Sequence, residues 1–117
     1  MHNDMFMRSH LLLGDAAMQR LQQARVLLVG VGGVGSWCAE SLLRTGIAHL
    51  TMADSDYICT SNINRQLMSL NGNIGESKVE TMRKRLLDIN PEADINALHT
   101  RYTPDNSNEF DIPGYDY

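Results

Sequence analysis

Residues 26–35 read Val26-Leu27-Leu28-Val29-Gly30-Val31-Gly32-Gly33-Val34-Gly35, in which an apolar run leads directly into a glycine-rich loop. The run has no polar interruption, which is typical of a strand buried on both faces of a parallel sheet. Glycines let backbone N–H groups approach phosphate oxygens, and the N-terminus of a following helix adds a partial positive charge. The stretch therefore predicts a strand, a phosphate-binding loop and a helix, in that order.

The rest of the chain continues this alternation. Strands are predicted at about 47–53 and 94–99, and helices at about 15–23, 34–44, 62–68 (capped by Ser61) and 75–89. The fold class is therefore α/β: a Rossmann-like, doubly wound, mostly parallel sheet with flanking helices and strand order 3-2-1-4. The sequence ends at Tyr117, where strand four is expected, so we expect a sheet truncated before that strand and a chain that is the N-terminal portion of a longer protein. We predict an N-terminal helical segment at 1–24 and an incomplete nucleotide-binding domain at 25–117.

Composition narrows the class of protein. A chain of 117 residues that is 43% hydrophobic suits one small domain. Ten Lys and Arg stand against fourteen Asp and Glu, so the bulk charge of −4 favours neither a nucleic-acid nor a membrane surface. The N-terminus resembles no export signal, and the cytoplasm is the expected location. Cys38 and Cys59 lack the spacing of a zinc site and are interpreted as structural.

The glycine loop has the spacing of a dinucleotide fingerprint. Gly30, Gly32, Gly33 and Gly35 follow a strand and open a helix, and Asp54 lies nineteen residues past the last glycine. An acid at the end of the second strand is placed to accept hydrogen bonds from ribose hydroxyls. These features alone leave NAD, FAD and ATP open.

Two cations downstream distinguish between these nucleotides. A polar cluster of Asn62, Asn64, Arg65 and Gln66 follows the second strand, and Lys78 lies near the start of the longest predicted helix. Arg offers a planar fork to phosphate oxygens and Lys a point charge. Such a pair suits attack at the α-phosphate of a triphosphate, where charge builds on phosphoryl and pyrophosphate oxygens. Spacing alone leaves open that Arg65 and Lys78 are ordinary surface residues.

Four motifs in this order resemble those of the adenylating superfamily of ThiF-type and ubiquitin-activating enzymes, which includes the molybdopterin and thiamine activators. They are the loop 30–35, Asp54-Ser55-Asp56, Ser61-Asn62-Ile63-Asn64-Arg65-Gln66 and Gly75-x-x-Lys78. The resemblance implies a Rossmann-like fold, ATP and Mg²⁺ as cofactors, and adenylation of a carboxylate with release of pyrophosphate.

Three further details resemble the branch of bacterial tRNA threonylcarbamoyladenosine dehydratases. They are Arg8-x-x-Leu11-Leu12-Leu13-Gly14, Ser36-Trp37, and Tyr102-Thr103-Pro104-Asp105-Asn106. This branch implies tRNA as substrate, ATP-dependent cyclisation of its threonylcarbamoyl group, and a homodimer in which Arg8 enters the neighbouring subunit's ATP site.

The resemblance also assigns roles to single residues. Arg65, Lys78 and Arg8 are the expected catalytic residues. The expected nucleotide-binding residues are Gly30, Gly32, Gly33, Gly35, Asp54, Asp56, Ser61, Asn62, Asn64, Arg65 and Lys78. The Mg²⁺ ligand is expected beyond Tyr117, so no metal ligand is assigned within the chain, and the 117 residues alone are expected to be inactive.

Three other functions stay open at this point. One is ATP-dependent activation of a ubiquitin-like sulfur-carrier protein, within the same superfamily. A second is an NAD-dependent oxidoreductase, which predicts no role for Arg65 or Lys78. A third is an oligomerising domain without enzymatic activity, which predicts that no nucleotide binds.

Overall fold

A computed structural model describes residues 4–117. The helices are α1 (Met7–Leu13), α2 (Asp15–Gln23), α3 (Gly35–Thr45) and α4 (Lys78–Ile89), and the strands are β1 (Arg25–Val29), β2 (His49–Ala53) and β3 (Asp94–Leu98). Short 3-10 turns lie at Asp4–Phe6, Thr60–Asn62, Asn71–Asn73, Ser107–Phe110 and Ile112–Gly114. No helix in the described part of the chain is both long and apolar enough to span a bilayer.

The sheet is parallel with order β1-β2-β3, and its register pairs Val26 with Leu50 and Leu50 with Ile95. Helix α3 connects β1 to β2, and α4 connects β2 to β3. This confirms the predicted Rossmann-like α/β fold and the 3-2-1 part of its strand order. The carboxyl ends of all three strands meet at one edge, which is where such sheets bind ligands.

The apolar positions Val79, Met82 and Leu86 repeat at spacings of three and four residues, which predicts the buried face of α4, and all three are fully buried. The spacing of Val34 and Trp37 likewise predicts one apolar side of the helix at 34–44, but these residues are 85% and 54% exposed. The buried face of α3 is formed instead by Ser36, Ala39 and Leu43, all with no exposed surface. The first two are small, which lets the helix lie close to the sheet.

Strand β1 lies at the edge of the sheet and is less buried than its apolar sequence predicts. Val29 is 51% exposed, and only Val26 of this strand is buried. Residues 115–117 lie along its free edge: the Leu27 N–H donates to the Tyr117 carbonyl at 2.9 Å, and the Tyr117 N–H donates to the Arg25 carbonyl at 3.3 Å. This is the hydrogen-bond pattern of parallel strands. The chain therefore returns to the position that the predicted order gives to strand four.

Two predicted helix boundaries are wrong. Residues 62–68 do not form a helix capped by Ser61; a 3-10 turn ends at Asn62, whose Oδ1 accepts the Cys59 N–H at 2.8 Å. This contact belongs to a capping box that starts the 3-10 turn, but residues 63–68 continue as turns and not as a helix. Helix α4 begins at Lys78 rather than Gly75, because Gly75 has φ +91° and Ser77 caps the helix by accepting the Glu80 N–H.

Candidate nucleotide-binding site

The glycine loop lies between β1 and α3 in a conformation that requires two of its glycines. Gly30 has φ +92°, and a Cβ on Gly35 would collide with the Gly30 carbonyl oxygen. In residues 4–117, no hydrogen bond is made by the N–H groups of Gly32, Gly33 and Val34. Three successive free donors at the N-terminus of an eleven-residue helix fit an anionic ligand such as a phosphate group.

Asp54, directly after β2, is hydrogen-bonded to this loop. Its Oδ2 accepts the Val31 N–H at 2.9 Å, and its Oδ1 accepts the Asp56 N–H at 2.8 Å. Each carboxylate oxygen has a further lone pair available for a ribose hydroxyl. The carboxylate is thus held in place by the backbone on both sides, as a fixed acceptor at the carboxyl edge of the sheet.

A cleft of ≈ 420 Å³ opens at this edge. It is lined by Val29, Gly30, Ala53, Asp54, Ser55, Asp56, Arg101 and Tyr102. The sequence predicts Gly30, Asp54 and Asp56 as site residues, and the structure brings them together. It also adds Arg101 and Tyr102, which were not assigned to the site. Their position just after the predicted third strand is the sequence feature that indicates this location.

Arg65 lies over the glycine loop. Its Cγ and Cδ are each 3.4 Å from the position of a Cβ on Gly33, which is van der Waals contact. Its Nη1 donates to the Ser61 carbonyl and to Asn64 Oδ1, both at 3.0 Å. Ser61 and Asn64 therefore orient the guanidinium, which remains exposed at the loop.

Helix α3 anchors the segment that carries Arg65. Ser36 Oγ donates to the Gly32 carbonyl and accepts the Leu67 N–H at 3.2 Å. Trp37 Nε1 donates to the Arg65 carbonyl at 3.0 Å. The sequence identifies Ser36-Trp37 as a family detail but does not predict this role. The only sequence feature that indicates it is the position of the pair, directly after the loop.

Lys78 is buried at the N-terminus of α4, with 7% of its side chain exposed. Its Nζ lies 3.7 Å from Asp56 Oδ2, on a carboxylate that is itself 70% exposed. The Lys78 N–H also donates to the Asp56 carbonyl at 3.1 Å. A buried ammonium needs close partners, and this single distant carboxylate leaves room for a second anion.

The described residues do not form a magnesium site by themselves. Asp54 is engaged by backbone N–H groups and Asp56 by Lys78. No group of three His, Cys, Asp or Glu side chains that could hold a metal is present among residues 4–117. We therefore derive no step of the chemistry through a metal ion.

Arg8 is exposed on α1, which packs on α2 and on the turn before it. No described contact joins Arg8 to the glycine loop or to the cleft within this chain. Of the predicted catalytic residues, Arg65 and Lys78 lie at the site and Arg8 does not.

Comparison with known proteins matches the ThiF family model to residues 6–117, which is nearly the whole chain. The chain belongs to the ThiF family. Among curated ThiF-family relatives, the tRNA threonylcarbamoyladenosine dehydratases of Haemophilus influenzae and Escherichia coli are 46% and 43% identical, over 86% and 91% of this chain. The molybdopterin-synthase adenylyltransferase of Salmonella typhimurium is 37% identical over 74% of it.

Solved structures show the same relationship. The Escherichia coli tRNA N6-threonylcarbamoyladenosine dehydratase in complex with ATP superposes with a TM-score of 0.91 at 42% identity, covering 94% of this chain. The same protein in complex with AMP gives the same values. The chain spans only 45% of that structure, and 39% and 40% of the two curated dehydratases.

Proposed function

We propose that the protein is an ATP-dependent enzyme that adenylates a carboxylate. The observation that carries the proposal is the placement of Arg65 over Gly33, beside three free backbone N–H donors, with the buried ammonium of Lys78 next to the same cleft. Two cations there match the larger negative charge of a triphosphate better than the diphosphate of NAD. Asp54 faces the cleft as the acceptor for a ribose.

Each residue then has a defined task. ATP supplies an adenylyl group with pyrophosphate as the leaving group. The loop N–H groups and Arg65 hold phosphate oxygens, and Lys78 neutralises charge that develops as the carboxylate oxygen attacks the α-phosphorus. Preorganised donors of this kind stabilise the transition state, because their orientation is fixed before the reaction.

We further propose that the carboxylate is the threonyl carboxylate of threonylcarbamoyladenosine in tRNA. The two most similar relatives described above bear this activity in their names, and the Ser36-Trp37 pair and the motif at 102–106 support the same branch. Activation of the carboxylate lets the modification close into a ring with loss of AMP. The nucleoside loses one water overall, while ATP becomes AMP and pyrophosphate. Such a reaction belongs in the cytoplasm.

The test uses the protein that contains this chain, with ATP, Mg²⁺ and tRNA that carries threonylcarbamoyladenosine. We expect pyrophosphate release and loss of one water from the nucleoside by mass spectrometry, and neither with tRNA that lacks the modification. Arg65→Ala and Lys78→Ala should weaken ATP binding, with NADH binding as the control. Unchanged ATP affinity in both variants contradicts the assignment of these residues.

A second candidate is activation of a sulfur-carrier protein at its C-terminal glycine. It is supported by the similarity to the molybdopterin-synthase adenylyltransferase. In the same assay, this alternative predicts pyrophosphate release with a carrier protein and none with tRNA. The oxidoreductase alternative gains no support, since the relatives described above are dehydratases of tRNA and adenylyltransferases.

A further inference from the structure

Gln66 is a buried polar side chain that has no role in the site as described so far. It is 6% exposed, and its Oε1 has no hydrogen-bond partner among residues 4–117. Its backbone is fully held, because its N–H donates to the Asn62 carbonyl at 2.9 Å and its carbonyl accepts the Ser69 N–H at 3.0 Å. A buried acceptor without a partner is unfavourable, so a side chain held in this orientation indicates a role other than packing. Its Nε2 makes no hydrogen bond among residues 4–117 and is not closed off from solvent, so this end of the carboxamide is open to a ligand.

The side chain of Gln66 is aimed at the glycine loop. Its Nε2 lies 3.6 Å from the position of a Cβ on Gly32 and is the nearest heavy atom to it. The Arg65 side chain lies similarly close to the next glycine, with Cγ and Cδ each 3.4 Å from the position of a Cβ on Gly33. Two successive residues thus cover two successive glycines, and the N–H groups of both glycines are free.

The location distinguishes between the two halves of a nucleotide. Gln66 is absent from the cleft that contains Asp54, which is where a ribose finds its acceptor. Its carboxamide lies instead over the loop, where phosphate groups meet the free N–H donors. Phosphate oxygens only accept hydrogen bonds, and an amide nitrogen offers two donors without adding charge. This chemistry matches a polyphosphate better than a nucleoside.

We propose that the Gln66 carboxamide binds the phosphate chain of the nucleotide, with Nε2 donating to a phosphate oxygen above Gly32. The inference rests on the proposed function, since it takes the ligand to be ATP. It adds a neutral donor to the two cations, Arg65 and Lys78. Such a donor fixes the direction of a phosphate oxygen, which a point charge does not.

The test compares the binding of ATP and of adenosine by calorimetry, in the protein that contains this chain. Gln66→Met keeps the length of the side chain and removes the donor, and Gln66→Glu keeps its shape and adds a negative charge. We expect ATP affinity to fall about 10- to 100-fold in Gln66→Met, as for loss of one hydrogen bond to a charged group, and further in Gln66→Glu. Adenosine affinity should be unchanged in both.

Ser69 provides a matched control. Its Oγ is also buried and unpartnered, in a residue that is 2% exposed. Ser69→Ala removes the same kind of group away from the loop, so it should change neither affinity. Equal loss of ATP and adenosine binding in the Gln66 variants would show a structural role and overturn the inference.

The remaining outcomes separate this inference from the function on which it rests. If the parent protein binds ATP and Gln66→Met binds it as tightly, the inference is wrong and the proposed function stands. If the parent binds no ATP, both are wrong. If Gln66→Met fails to fold, Gln66→Asn withdraws the amide by one methylene and gives the same comparison.

Discussion

Gly35 is the residue in the loop whose substitution the structure tolerates least. Its Cβ would overlap the Gly30 carbonyl oxygen, a backbone atom that cannot move without moving the end of β1. We expect Gly35→Ala to lower the free energy of unfolding by about 3 kcal/mol, as for a severe overpacking. Gly72→Ala is the control, because no atom lies within 4 Å of its added Cβ. Equal urea-unfolding midpoints for the two variants would contradict this.

The site residues differ in how far the sequence predicts them. The glycines and Asp54 follow from spacing, because a strand, a loop and a helix have a fixed geometry. The contact of Arg65 with Gly33 does not, since it depends on an irregular segment whose path no periodic pattern encodes. Ser36 and Trp37 set that path through hydrogen bonds to backbone atoms of residues 65 and 67. The functional roles of all the assigned site residues remain predictions.

Helices α3 and α4 are joined by an ion pair that should make stability depend on pH. Glu40 Oε1 accepts from Arg85 Nε at 2.6 Å, and its Oε2 accepts from Arg44 Nε at 3.2 Å. The hydrogen bond from Arg85, followed by that from Arg44, holds the pKa of Glu40 below its ordinary value of 4.5. A lowered pKa in the folded state stabilises the protein above pH 4.5, and this stabilisation is lost as the pH falls through the lowered value.

Glu40→Gln should therefore cost about 1–3 kcal/mol at neutral pH, as for a hydrogen bond to a charged group in a side chain that is mostly buried. The difference from the parent should narrow as the pH falls below 4.5. Urea unfolding at neutral and acidic pH measures both. Glu109→Gln is the control, since Glu109 is exposed and makes no ion pair among the described residues. A difference that stays constant with pH would refute the prediction.

The N-terminus of α4 is stabilised by a cap from Ser77. Ser77 Oγ accepts the Glu80 N–H at 3.4 Å and lies 3.1 Å from His99 Nδ1. We expect Ser77→Ala to cost about 1 kcal/mol of stability in thermal unfolding. Ser61→Ala should cost close to nothing, because its contact with Arg65 uses the Ser61 carbonyl. The reverse order of effects would contradict the capping role of Ser77 and would indicate that Ser61 caps a helix at 62–68, as the sequence predicts.

The elements themselves were predictable where burial is periodic. Val79, Met82 and Leu86 repeat along one face, so the sequence locates α4 and its buried side. Residues 62–68 contain apolar positions too, but after a capped 3-10 turn they form only turns. The sequence pattern does not indicate that the chain leaves helical geometry there.

At the scale of the molecule, the parallel sheet and its strand order follow from the alternation of elements, and the structure confirms them. The exposure of β1 does not follow from its sequence, because it depends on what lies beside the strand. Val29 is exposed and yet apolar, and residues 115–117 cover only part of the edge. The division of the chain at residue 24 remains a prediction.

Helix α1 exposes two adjacent leucines, Leu11 and Leu12, which are 81% and 84% exposed. Exposing this much apolar surface to water is unfavourable, and a symmetric contact with a second copy of the chain would bury it. Because Arg8 lies on the same helix, this contact would bring Arg8 close to the partner. We therefore expect a homodimer, and Leu12→Glu should convert it to a monomer in analytical ultracentrifugation. Leu70→Glu is the control, since Leu70 is 55% exposed outside α1. A dimer that persists in Leu12→Glu would show that this surface is not the interface, and a monomeric parent would remove Arg8 from the proposed catalytic residues.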